Sequence, residues 1–142
     1  MSAGIIVLAD AVTVELNTAA FTRPLAAVRL YEPIFELAAM ATLHVSVVPR
    51  ALTAKVLDRG RHAFDYEIDV AIQQKVEPTL AHLDELMALV EEVGDHLRTR
   101  PLTVLPDARC IEIANAPIWA GEHLQELRQF TSVLTLTYRR HR

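Results

Sequence analysis

The chain has 142 residues, a length that favours one domain spanning residues 1–142. Hydrophobic residues make up 51% of the sequence and charged residues 23%. This composition excludes a disordered or low-complexity segment, because it supplies enough apolar surface for a core. The net charge of −4 argues against a strongly basic nucleic-acid-binding protein.

Signals for export, membrane insertion and cysteine chemistry are missing from the sequence. A lone cysteine, Cys110, excludes an internal disulfide and a cysteine-rich zinc site. Asp10 and Glu15 interrupt the N-terminal apolar stretch, and no Lys or Arg precedes it, so a signal peptide is not expected. No uncharged apolar run of about 18 residues predicts a membrane-spanning helix. We therefore expect a soluble protein made in a reducing cytoplasm.

The first third of the chain predicts a helix and two strands. Apolar residues recur at helical spacing near the start, at Ile5, Leu8, Val12 and Leu16. A short strand is expected over 27–31, and 35–42 is compatible with a helical turn or a loop. Alternating residues at 43–48 predict a strand that Pro49 ends. The segment 50–61 is interpreted as a protruding loop or hairpin.

The segment 62–74 has the clearest two-residue period in the chain. Its apolar residues share one face, and the other face carries Asp65, Glu67 and Asp69. One buried and one polar face are typical of an antiparallel sheet that is open on one side. The three carboxylates are either a solvated sheet face or a surface that faces a partner or a channel.

The rest of the chain predicts a long helix and two more strands. An apolar stripe predicts the helix over 79–98, and Pro101 prevents its continuation. Strands are expected at 109–113 and 130–138, with a connecting segment at 117–125. The resulting order, α–β–β–β–α–β–β, predicts an α+β fold. An antiparallel or mixed β-sheet is expected, with two main helices packed on one face.

Charge is unevenly distributed along the second half. Three acids, Glu91, Glu92 and Asp95, lie near the C-terminal end of the predicted helix, where the helix dipole disfavours negative charge. Basic residues follow near the chain end, among them Arg128, Arg139 and Arg140. The acids are either a solvated helix face, or the two sets meet across a subunit boundary as complementary surfaces.

Sequence motifs for catalysis or cofactor binding are missing. No glycine-rich phosphate loop, zinc-protease motif or nucleophile elbow occurs. The histidines lack metal-ligand spacing, and Cys110 in a predicted strand is interpreted as a small hydrophobic residue. We expect no catalytic, cofactor-binding or metal-binding residues.

Four separated parts of the sequence together resemble one protein family. These parts are 28–33, 43–50, 64–73 and 130–138, with an acidic helix before the last. They are similar to the tail terminator proteins of long-tailed bacteriophages, also called tail-completion or minor tail proteins. The resemblance covers nearly the whole chain in the order, size and type of its elements.

The resemblance implies structural work in a virion. Family members form hexameric rings that cap the head-proximal end of the tail tube, stop its polymerisation and present a surface to the head-side connector. DNA passes through the ring without sequence-specific binding. No cofactor, catalysis or membrane contact is implied, and the expected location is the tail or neck of a virion assembled in the host cytoplasm.

Two other interpretations stay open at this point. The chain could be another head–tail joining protein, such as a stopper or neck subunit, which shares size and ring formation. It could also be a small ligand-binding or enzymatic α+β domain, which would need a pocket with convergent polar groups.

Overall fold

The computed structural model describes residues 3–31, 43–75, 80–115 and 129–141. Its elements, in chain order, are α1 (Gly4–Thr18), β1 (Ala27–Arg29), β2 (His44–Asp58), β3 (Arg61–Lys75), α2 (Leu80–Thr99), β4 (Arg109–Asn115) and β5 (Gln129–His141). The predicted element order and the α+β class are confirmed. The predictions for 35–42 and 117–125 lie outside the described residues.

The five strands form one mixed sheet in the order β1-β2-β3-β5-β4. Strand β1 runs parallel to β2, and the other neighbours are antiparallel. Strand β3 is central, since it pairs along its whole length with β2 on one side and β5 on the other. The two-residue period of 62–74 therefore predicted the strand around which the sheet is built.

Both helices cover the same face of this sheet. Helix α1 packs over β1 and β2 and reaches β3, whereas α2 packs over β4 and β5. The apolar stripes of the helices and one face of each central strand join in a single core cluster, which includes Leu8, Val12, Leu86, Val93, Val47, Ile68, Val70 and Leu136. Asn17, just before the end of α1, holds the start of β1, because its side chain exchanges two hydrogen bonds with the Ala27 backbone, at 2.7 and 3.0 Å.

Strand β2 is longer than the sequence predicted. Pro49 does not end it; the strand continues to Asp58, with a register shift between Pro49 and Ala51. Proline is tolerated at such an irregularity because no ladder hydrogen bond from its nitrogen is needed there. The segment 50–61 is therefore the outer part of a long β2–β3 hairpin, which confirms the hairpin alternative of the prediction.

The first strand is shorter than expected. It ends at Arg29, although the Leu30 nitrogen still donates a hydrogen bond to the Val47 oxygen at 2.9 Å. Neither helix in the described part of the chain is long and apolar enough to cross a membrane.

Candidate functional site

The face of the sheet that the helices leave uncovered carries charges of both signs. Side chains alternate between the two faces of a strand. The residues that lie between the core residues along each strand therefore point to this side. We call it the charged sheet face, and its charged residues include Arg50, Lys55, Asp58, Asp65, Glu67, Asp69, Arg109, Glu112 and Arg139.

Asp65 forms the tightest ion pair on this face. It lies directly opposite Arg139, whose Nε and Nη2 donate to the two carboxylate oxygens at 2.7 and 2.9 Å. These hydrogen bonds from Arg139 lower the pKa of Asp65 against the opposing effect of burial, and the nearby Lys55 adds to the lowering. Asp65 is therefore a paired carboxylate that stays ionised at neutral pH.

Asp69 is also held by neighbours on this face. Thr135 donates its hydroxyl to the carboxylate at 2.7 Å, and Arg50 approaches the same carboxylate oxygen to 3.5 Å. Glu67 lies between Asp65 and Asp69 along the strand and lines a shallow depression with Arg50 and Glu112. The three predicted carboxylates thus share one face as expected, but cations are interspersed among them.

The two cations from β2 were missed in the sequence because 50–61 was interpreted as a loop or hairpin. A signal was present: Leu52, Ala54 and Val56 alternate with Thr53 and Lys55, which is a strand pattern. Because the strand was predicted to end at Pro49, this pattern was not assigned to a strand.

The three acids of α2 point to two sides of the helix, Glu92 toward Thr22 and the other two toward strands β4 and β5. Glu92 accepts a hydrogen bond from the Thr22 nitrogen at 2.8 Å, and Asp95 pairs with Arg98 at 2.7 Å. Glu91 and Asp95 line an open groove of about 560 Å³ between α2 and strands β4 and β5.

Neither Arg139 nor Arg140 meets these acids within the subunit. Arg139 is bound to Asp65, and Arg140 lies 3.1 Å from Asp107. Arg128 lies outside the described residues. The charge separation along the sequence is therefore partly neutralised by pairs that the sequence did not predict.

A buried polar cluster joins α1 to the end of α2. Glu15 is 7% exposed; one oxygen accepts from the backbone nitrogen and hydroxyl of Thr103 at 2.8 and 2.9 Å, and the other lies 2.8 Å from His96 Nε2. Burial alone would raise the pKa of Glu15, but the hydrogen bonds from His96 and Thr103 outweigh it and lower the pKa. A signal was available in the sequence, because Glu15 follows Leu8 and Val12 on the apolar face of α1.

Metal and thiol chemistry find little support in the described residues. Within 3–31, 43–75, 80–115 and 129–141, no group of three or more His, Cys, Asp or Glu side chains is placed to hold a metal ion. Burial raises the pKa of the Cys110 thiol, which donates to the Glu112 backbone oxygen at 3.6 Å. Such a thiol is protonated at neutral pH and is a poor nucleophile.

The chain matches no protein-family model and no curated protein sequence. Among solved structures, it is similar to the sheath/tube terminator of an extracellular contractile injection system, PVC, in the extended state. That protein is 15% identical over 96% of this chain, with a TM-score of 0.49, and this chain spans 57% of its length.

A second solved structure, whose name describes no function, is 16% identical, with a TM-score of 0.52. The match covers 98% of this chain and 95% of that one. At this identity the similarity shows a shared fold and nothing about activity.

Proposed function

We propose that this chain is a structural subunit of a homo-oligomeric ring that caps the head-proximal end of a phage tail tube and stops its polymerisation. One observation carries the proposal. Three of the four segments on which the family resemblance rests, 43–50, 64–73 and 130–138, belong to β2, β3 and β5, which lie side by side in the sheet. The resemblance therefore concerns one continuous piece of tertiary structure, and it supplies the expected number of six subunits.

The charged sheet face is the surface we assign to the ring channel. Asp65, Glu67 and Asp69 are the channel-lining candidates on it. Because Arg139 and Arg50 lie beside two of these acids, the face presents no uniform field of either sign. A uniform basic surface would bind the phosphate backbone of DNA tightly, so alternating charges suit a duplex that must slide through.

The groove beside α2 is our candidate for contacts outside the subunit. Glu91 and Asp95 line this groove, which lies next to the β4 edge of the sheet. Glu92 lies on the same helix. Arg139 and Arg140 stay candidates for the other side of a subunit contact, together with Arg128. Since each of the first two already holds an acid of its own chain, such a contact would require them to share or exchange partners.

The partners of the ring would be the tail tube protein on one side and the head-side connector or stopper on the other. The protein would act in the tail or neck of the virion after assembly in the host cytoplasm, without a cofactor and without catalysis. A stopper or neck subunit is the runner-up function, and no observation in the structure favours it over the terminator.

The test is to mix the purified chain with polymerising tail tube protein from the same genome. We expect rings by negative-stain microscopy, shorter tubes as the ratio of this chain to tube protein rises, and a ring at one end of each tube. Tube protein alone and tube protein with an unrelated acidic protein are the controls. Tubes of unchanged length without end rings would refute the terminator function, and rings that bind connector but not tube would favour the stopper.

A further inference from the structure

Among the described residues, two stretches of the sheet edge have no strand beside them, and they lie on opposite sides of the sheet. Of the described strands, β1 pairs with β2 alone, over residues 45–47. From Pro49 to Asp58, β2 pairs with β3 on one side and with no strand of the described chain on the other. Three large apolar side chains stand along this stretch: Leu52 (53% exposed), Val56 (73%) and Leu57 (53%).

Strand β4 forms the other edge. Among the described strands it pairs only with β5, and Ile111 is 43% exposed in its middle. Long exposed apolar edges are templates for pairing with another chain. A domain with two such edges therefore offers two surfaces at which another chain can add a strand.

The charges on the two edges are complementary in one antiparallel register. If Lys55 of β2 lies opposite Glu112 of β4, Asp58 falls opposite Arg109, because both pairs are three residues apart. A register irregularity lies between the two charged residues on each strand, at Val56/Asp58 and at Cys110/Glu112. An irregularity of this kind returns residues three apart to the same face, so all four charges stand on the charged sheet face.

The apolar side chains agree with the same register. It places Val56 opposite Ile111, two side chains that are exposed in the single subunit. Asp58 already binds Arg61 across the hairpin turn at 2.7 Å, whereas Lys55 lies 4.0 Å from Asp65. Lys55 with Glu112 is therefore the stronger of the two ionic contacts.

Strand direction also agrees. Within the subunit, β2, β3, β5 and β4 alternate in direction, so β4 runs opposite to β2. Copies related by rotation about a common axis keep these directions when their strands are tilted to that axis by the same angle, and β4 of one copy then meets β2 of the next in antiparallel orientation. The tilt is needed because Ala114 is level with Val48 within the subunit and with Thr53 of the next copy in this register, an offset that a tilted, closed sheet supplies. A head-to-tail contact of this kind closes into a ring when the rotation permits.

We propose that the β4 edge of one copy pairs with the outer half of β2 (residues 49–58) of the next, so that the sheet continues around the ring. The inference rests on the proposed function for the ring itself and names the surface that builds it. In this arrangement every copy places its helices on one side of the continuous sheet and its charged sheet face on the other.

Cysteine cross-linking tests the register. Thr53 and Ala114 face each other in it, both exposed on the charged sheet face. Facing residues have Cα atoms about 4.5–5.5 Å apart, within the range for a disulfide. Within one chain they are three strand spacings apart across the sheet, roughly 14 Å, and are also offset along the strands. They therefore cannot link internally. We expect Thr53→Cys with Ala114→Cys, in a Cys110→Ala background, to give a ladder of linked species that ends in a closed ring under mild oxidation.

Matched controls keep the result interpretable. Each single variant should form no ladder, and Ala51→Cys with Ala114→Cys, shifted by two residues on the same face, should link far less. Light scattering of each variant reports whether oligomers form before oxidation.

The outcomes separate this inference from the proposed function. Oligomers that link no better than the shifted control would overturn the edge contact and leave the ring proposal standing. Linked rings that never join tube ends would support the edge contact and refute the terminator function. A chain that stays monomeric at all concentrations and with tube protein present would defeat both.

Charge reversal gives a second, independent test. Lys55→Glu or Glu112→Lys alone should weaken association by about five-fold per contact, the size of a cross-strand charge pair, with unchanged melting of the dissociated subunit. The double variant restores the pair in reversed order and should recover most of the loss. Recovery absent in the double variant would contradict the register.

Discussion

The inner and outer halves of β2 differ in how far their side chains are buried, although they lie beside the same strand. Both pair with β3, but Val45 to Val48 are at most 8% exposed, whereas Leu52, Val56 and Leu57 are all more than half exposed. The difference arises because α1 and β1 cover only the beginning of the strand. The same alternating pattern therefore contributes to the core in one half and is available for association in the other.

A charged substitution in each half of β2 should give the largest difference in the free energy of unfolding. Val47→Asp buries a carboxylate in the core without a partner, and we expect a loss of about 4 kcal/mol in the free energy of unfolding. Leu52→Asp should change the same quantity by no more than about 0.5 kcal/mol, as at other surface sites. Urea unfolding of the dissociated subunit measures both.

The two variants of that test also differ in assembly. If the outer half of β2 is a contact surface, Leu52→Asp should reduce oligomer formation while the subunit still folds. Equal losses of stability from Val47→Asp and Leu52→Asp would show that the outer half is part of the core and would remove the contrast.

Removing the buried carboxylate on the covered side should have the next largest effect. Glu15→Gln replaces the charged acceptor of Thr103 and the partner of His96 with a neutral amide. Hydrogen bonds to a charged group contribute about 2 kcal/mol, and we expect a loss of that order by urea unfolding. Thr103→Ala is the matched control, because it removes the hydroxyl and keeps the backbone donor, and it should cost less.

The same residue predicts an acid dependence. The pKa of Glu15 is lowered from its ordinary value of 4.5, so the folded state binds its proton less readily than the unfolded chain does. Its contribution is complete above 4.5 and is lost as the pH falls through the lower, folded-state pKa. Stability measured against pH should therefore fall less steeply in acid for Glu15→Gln than for the unaltered protein. Identical slopes would contradict this role.

Replacing Gly94 of α2 with alanine should slightly stabilise the packing of this helix on the sheet. A Cβ there would lie 3.5 Å from Ile113 Cδ1 and 3.8 Å from Leu134 Cδ2, which are ordinary contact distances. Alanine favours a helix over glycine by about 1 kcal/mol, so Gly94→Ala should raise the free energy of unfolding by roughly 0.5–1 kcal/mol. A lower melting temperature would show that α2 packs more tightly against the sheet than these distances imply.

The smallest effect is expected on the uncovered side, at Asp65. Asp65→Asn removes the charge that binds Arg139, and the melting temperature should fall only slightly, since water reaches the partly exposed Arg139 and screens the pair. The difference from the unaltered protein should shrink further in high salt. A fall as large as that of Glu15→Gln would mean that this face is covered in the folded subunit.

Most elements could be predicted from residue periodicity alone. The strands at 62–74 and 130–138 and the helix at 79–98 were predicted to within about three residues, because each buries one face and exposes the other, which leaves a period in the sequence. The end of β2 was not, because a proline that stops most strands is tolerated where the register shifts.

The candidate surfaces were predicted less completely. Asp65, Glu67 and Asp69 share a face because two-residue spacing alone determines this. Their partners Arg139 and Arg50 come from other strands, and the order in which strands meet in a sheet leaves no periodic trace in any one of them.

The sequence by itself determined the α+β class, the element order and the side of the central strand β3 that is buried, since these depend on local spacing and apolar burial. Only the tertiary structure decided that Glu15 joins His96 and Thr103 and that Arg139 neutralises Asp65. It also decided that, among the described strands, the outer half of β2 has a neighbour on one side alone. These features depend on contacts between residues far apart in the chain. Their free energies come from pairing and coverage in three dimensions, which no single segment encodes.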